Sequence, residues 1–221
     1  MIPGGSLSRD PVFFMGDKEE TDKMSKKSFN TKTLTKCAIL SAAAWILMLF
    51  EFPLPVAPVF YKADFSEVAV LIGAFSMGPW AGVVIEGIKI VLNVLTTGTS
   101  TAYVGELANF IIGCAFVLPA AWIYHHNKTR KNAIIGLAAG TVLMALAGCV
   151  VNYFVLIPMY STLYGLPLDA IIDMGRVIFP IIHDTFTFVC FAVMPFNLIK
   201  GIGVSVVTAF LYKHVSPILH A

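Results

Sequence analysis

Of 221 residues, 57% are hydrophobic and only 13% charged, against roughly 25% charged in soluble domains. This composition excludes an ordinary water-soluble domain, and a formal charge of +2 is too small to argue for a nucleic-acid partner. Apolar runs near twenty residues long, almost free of charge, have the length of membrane spans at about 1.5 Å per residue against a core of about 30 Å.

Residues 1–31 are polar, with Lys18, Glu19, Glu20, Asp22, Lys23, Lys26 and Lys27. They lack the apolar stretch of a secretory signal peptide and read as a cytoplasmic, poorly ordered tail. Six apolar segments follow, at 34–52, 65–78, 80–97, 103–124, 132–158 and 177–212. Backbone groups in lipid must be satisfied within each segment, so an all-α membrane domain of six transmembrane helices is expected over 32–215, with a short tail at 216–221. Basic residues cluster before the first segment (Lys26, Lys27, Lys32, Lys36), after the fourth (Lys128, Arg130, Lys131) and at the end (Lys213). Placing all three clusters inside requires four spans and then two, which puts both termini in the cytoplasm.

The second segment offers only about 14 residues before Gly78-Pro79, short for a span, and is expected to be sheltered by its neighbours. The last is long and carries Pro180 and Pro195; it is expected as one kinked helix. Small residues one turn apart (Ala38/Ala42, Gly78/Gly82, Gly136/Gly140) fit either internal packing or docking of another membrane protein.

Polar groups inside the spans are functional candidates because their desolvation demands a partner. Lys200 falls in the outer half of the membrane, about 20 Å above the inner edge, and Asn152 about 9 Å below the outer edge. An outward pocket or internal hydrogen bonds would account for both equally. Glu86 and Lys89, three apart on one helix, are expected to pair with each other. Glu106 and Asn109 suit either packing or pocket lining, and His125 and His126 a solvated loop. The stretch 52–64, rich in proline and aromatics, has the character of a lid or of a plain interfacial connection.

Cys37, Cys114, Cys149 and Cys190 lie in apolar runs without paired spacing, so core packing is expected and no metal site. No G-x-x-x-x-G-K-[ST] loop, H-E-x-x-H or G-x-S-x-G is present, so neither an ATPase nor a common hydrolase is expected.

The stretches FEFPLPVAPVFYKADFSEVAVLIGAFSMGPWAGVVIEGIKIVLN (50–93), GELANFIIG (105–113), NYFVLIPMY (152–160) and MPFNLIKG (194–201) resemble, in order, the riboflavin-binding S components of energy-coupling factor (ECF) transporters. The resemblance covers about 33–213. It implies a six-helix subunit that binds riboflavin near the outer face and works with a transmembrane T component and two ATP-hydrolysing subunits. It matches Ala38-Ile-Leu-Ser-Ala42 to an A-x-x-x-A motif that docks the T component, and Asn152 and Lys200 to polar contacts with the vitamin. An amide suits an imide edge, and an ammonium its carbonyl oxygens. In the same frame Phe60 and Tyr61 are expected to cover the ring. Asp64 and Glu67 are expected either to reach the ribityl hydroxyls or to cap the second helix. Riboflavin is then cargo, and no cofactor is expected. An S component for another vitamin and an autonomous ion-coupled transporter are the alternatives; the latter lacks an evident inverted repeat.

Overall fold

In the computed structural model, residues 31–99, 101–165 and 167–220 are described. The expected tail of residues 1–31 lies outside them but for Thr31. Lys36–Ala221 forms one compact unit. Helix α1 (Thr31–Leu49) leads into a hairpin of two short strands, β1 (Phe52–Pro53) and β2 (Lys62–Ala63), paired antiparallel with Phe52 opposite Ala63. Among the described residues this hairpin of two-residue strands is a small addition to a predominantly helical fold. Then come α2 (Ser66–Met77), α3 (Pro79–Thr97), α4 (Val104–His126) and α5 (Arg130–Val151).

Among the described residues, five helical runs are long and apolar enough to cross a membrane: Thr31–Leu49, Pro79–Thr97, Val104–His126, Arg130–Leu163 and Thr185–Tyr212. The exception among the six expected segments is α2. Its 12 residues rise only about 18 Å. Every residue from Ser66 to Phe75 is buried, so this segment is sheltered by its neighbours, as its length requires. Gly78, at φ +115°, ends α2 in a conformation that a side chain disfavours, and Pro79 opens α3 at a position where its missing N–H costs nothing.

Helices α4 and α5 pack backbone to backbone. A Cβ on Gly140 would stand 2.5 Å from the Phe116 carbonyl oxygen, and one on Gly136 2.5 Å from that of Ala120. Of the two readings of this small-residue pair, internal packing is therefore the observed one.

The fifth segment runs beyond its expected end. After α5 come a π-helical turn, Asn152–Leu156, and α6 (Ile157–Tyr164). A second π turn, Val189–Val193, separates α8 (Thr185–Phe188) from α9 (Met194–His220). Each turn directly precedes an X-Pro pair: Ile157 N–H bonds Asn152 O and Met194 N–H bonds Val189 O, five residues back. A proline ring clashes with the carbonyl four residues before it, and widening the helix by one residue relieves the clash.

The expected single helix over 177–212 is corrected. An amphipathic helix, α7 (Leu168–Arg176), buries Ile171, Ile172 and Gly175, and Pro180 lies in the connection that follows. The last membrane helix starts at Thr185 because Asp184 and Thr187 form a reciprocal capping box. Of Pro180 and Pro195, Pro195 is the one inside it. The helix backbone also continues past 215, through the stretch expected as a tail.

Candidate ligand cavity

The hairpin, α4, the first π turn and α9 enclose a cavity of about 610 Å³, within the size range of small-molecule sites. Asn152, Lys200, Phe60, Tyr61 and Asp64 line it. Five residues from three distant stretches of sequence thus meet at one place.

The hairpin loop is seated rather than loose. Its prolines restrict the backbone, Ala57 is buried, and Tyr61 N–H donates to Pro58 O at 2.8 Å. An ion pair between Lys62 and Glu51 ties the neck of the hairpin. The Tyr61 ring packs against Phe60 (centroids 4.7 Å apart) and Phe196 (5.5 Å). Its hydroxyl donates to Asn152 Oδ1 at 2.5 Å. Asn152 Nδ2 in turn donates to Gly148 O at 2.8 Å. Both readings of Asn152 therefore hold: it faces the cavity, and it serves an internal hydrogen bond that pins the loop. One amide N–H of Asn152 has no partner in this network.

Lys200 Nζ stands 2.9 Å from Asp64 Oδ2. The other Asp64 oxygen accepts the Ser66 N–H at 2.8 Å, so Asp64 also anchors the start of α2. Two of the three ammonium donors of Lys200 are left for other acceptors. Asn197, three residues before Lys200, also lines the cavity and is buried. Sequence reasoning passed over it, although its i, i+3 spacing from Lys200 puts it on the same helix face. Glu106 and Asn109 both line the cavity, which decides between packing and lining for that pair.

Glu67 is expected beside Asp64 as a ligand contact or a helix cap; it sits in the first turn of α2 without a side-chain capping hydrogen bond, and it does not line the cavity. It is buried away from the cavity and paired with Lys89 at 2.9 Å. Lys89 also pairs with Glu86 at 2.7 Å, as its spacing implied, and donates to Ser66 Oγ at 3.2 Å. One ammonium thus serves two carboxylates in the bundle core, with all three side chains essentially inaccessible. His125 is corrected too: half-buried, it meets the Ala74 carbonyl oxygen at 3.0 Å through Nε2. Ala38 is exposed and Ala42 half-buried, whereas Cys37, Ser41 and Ala44 form the buried face of α1. Among the described residues no group of His, Cys, Asp and Glu is placed to hold a metal ion.

Residues 32–212 match the family described as "ECF transporter, substrate-specific component". The chain belongs to this family. As an S component it is a transport protein rather than an enzyme, and a multi-pass protein of the plasma membrane. Among its relatives, riboflavin transporter RibU of Staphylococcus aureus is 34% identical over 188 residues, covering 85% of this chain and 92% of the relative. Riboflavin transporter FmnP of Bacillus subtilis is likewise 34% identical, over 84% of this chain and 93% of that protein. A solved S component of a bacterial ECF transporter superposes with a TM-score of 0.68 at 33% identity, over 86% of this chain and 99% of the other. The fold of this chain is thus similar to that of a solved S component.

Proposed function

We propose that this S component captures riboflavin in the cavity beneath the 52–64 loop. The observation that carries the reading is the convergence of Asn152, Lys200, Phe60 and Tyr61 on one cavity, in a chain whose 34% identical relatives are riboflavin transporters. A flavin has a flat aromatic body, an imide edge and a hydroxylated tail. The free donors of Lys200 and Asn152 suit the imide carbonyls, and the tyrosine and phenylalanine rings suit the flat face. Asp64 holds Lys200 in place and offers an acceptor to ligand hydroxyls. Glu67 supports the floor through Lys89 rather than touching the ligand.

In this reading the chain has six membrane helices with both termini in the cytoplasm, and the cavity opens outward. Energy comes from an ATP-hydrolysing pair of subunits through a T component, since the chain has no nucleotide loop of its own. Ala38 and Ala42 supply a flat, small-residue face of α1 on which the T component packs.

The test is flavin binding by purified protein. Protein stripped of ligand and titrated with riboflavin is expected to quench flavin fluorescence at a one-to-one ratio, with Lys200→Ala weakening binding. A stripped, folded protein with no affinity for riboflavin would rule the proposal out.

A further inference from the structure

A second hollow, of about 580 Å³, opens between the 52–64 loop and the end of α7. The loop lines it with Pro55, Pro58 and Val59, and α7 and the turn after it with Met174, Val177 and Ile178. Every side chain that lines it is apolar. The loop also offers little hydrogen bonding there. Its prolines have no N–H, the Leu54 carbonyl accepts the Ala57 N–H at 3.3 Å, and the Pro58 carbonyl accepts the Tyr61 N–H at 2.8 Å. A peptide or a sugar laid in the hollow would leave its polar groups unmatched. A hydrocarbon chain has none to match.

Helix α7 presents three stripes. Ile171, Ile172 and Gly175 are buried, the two isoleucines in the cluster that also holds Ala57, Tyr61 and Phe188. Asp169, Asp173 and Arg176, spaced i, i+4, i+7, are exposed. Met174, Val177 and Ile178, spaced i, i+3, i+4, form the third stripe and line the hollow. Helical spacing carries past Arg176 because the Val177 N–H still bonds Asp173 O at 3.1 Å. Val177 is 86% exposed and Val59 74%. From Val177 the exposed apolar side chains continue along the chain through Ile181 and Phe186 onto the last membrane helix, where Phe191, Ile199 and Ile202 are exposed as well. The hollow thus adjoins the surface that this multi-pass protein turns to lipid.

We propose that an acyl chain of a membrane lipid occupies this hollow, and that α7 and the rim of the loop lie in the bilayer interface rather than in water. A surface helix with one apolar and one charged stripe sinks about 5–10 Å into the boundary between headgroups and chains. In that position Asp169, Asp173 and Arg176 stay among headgroups and water, while Val59 and Val177 leave water for hydrocarbon. The helix carries two carboxylates and one guanidinium, so nothing in it calls for an anionic headgroup, and a zwitterionic lipid suffices. Met174 lines both this hollow and the cavity beneath the loop. The lipid chain therefore backs the cavity wall from outside, whichever ligand the cavity takes.

The experiment uses full-length protein reconstituted in dioleoylphosphatidylcholine vesicles, with and without bromine on the acyl chains as a contact quencher. Three variants, Val59→Trp, Val177→Trp and Asp169→Trp, each add one tryptophan at an exposed position. The wild-type emission, from Trp45, Trp80 and Trp122, is subtracted. Val59→Trp and Val177→Trp are expected to lose most of their added emission in brominated lipid, and Asp169→Trp to keep it. Bromine near the headgroup end of the chain should quench the first two more than bromine near the methyl end, given a depth of about 5–10 Å. Each value is a ratio between two lipids for one variant, so differences in yield cancel. Added emission that survives in both valine variants overturns the inference. Quenching at Val177 alone would lay α7 on the bilayer with no chain in the hollow, and quenching at Asp169 as strong as at Val177 would mean no oriented face; either result overturns it. Shielding of both valine positions that grows with the protein-to-lipid ratio would give the hollow to a second copy of the chain, and overturn it too.

Discussion

Lys200 and Asp64 lie 136 residues apart in sequence and meet at 2.9 Å, both almost fully buried. This pair joins the last membrane helix to the foot of the hairpin loop and places an ammonium on the cavity wall. Removing one partner strands the other. Asp64→Asn is expected to lower stability by about 3 kcal/mol. The double variant Asp64→Asn/Lys200→Met should recover most of that loss. Thermal unfolding of the purified protein in detergent reads both, and equal instability of the single and double variants would contradict the pairing.

Tyr61 holds the loop to the helix bundle through its hydroxyl on Asn152. In Tyr61→Phe the ring packing remains but Asn152 Oδ1 loses its donor, at an expected cost of about 1–3 kcal/mol. Amide hydrogen exchange at Ala57 and Tyr61 should quicken relative to the helices. Exchange that stays at the wild-type rate would mean that ring packing alone seats the loop.

The three-way cluster in the core predicts an asymmetry. Lys89→Met leaves two carboxylates facing each other without a cation and is expected to cost more than about 3 kcal/mol or to prevent folding. Glu86→Gln leaves a one-to-one pair of Lys89 with Glu67, so its effect should be much smaller. Expression level and unfolding temperature together report the order, and similar losses in the two variants would argue against a shared ammonium.

Two small-residue positions should respond in opposite ways. Gly140→Ala introduces a Cβ against the Phe116 carbonyl and is expected to destabilise the fold by about 1–3 kcal/mol. Ala38→Leu adds bulk to an exposed face and should leave folding and flavin binding intact while weakening co-purification with the T component. Retained co-purification would remove Ala38 from the docking surface.

The residues that could be read in advance are those whose chemistry conflicts with their surroundings. Asn152 and Lys200 stand out because an amide or an ammonium in an apolar run must find a partner. Gly78-Pro79 marks a helix break because each residue dictates backbone geometry locally, and the shortness of α2 follows from it. Glu86 and Lys89 declare their pairing through helical spacing alone. Partners on different elements leave no such trace. Nothing in the local sequence ties Tyr61 to Asn152, Asp64 to Lys200, or Glu67 to Lys89 on the next helix. Pro180 and Pro195 look alike in the sequence, yet one lies in a connection and the other in a helix, because the capping box of Asp184 and Thr187 sets where that helix begins.

By itself, then, the sequence determined a helical membrane protein with expensive polar groups inside apolar segments, since hydropathy and period depend only on neighbours along the chain. Which polar groups face the cavity, and which are spent on one another, was decided by tertiary structure. A buried charge takes the partner that packing brings within about 3 Å, and for Lys200 and Lys89 those partners came from other segments.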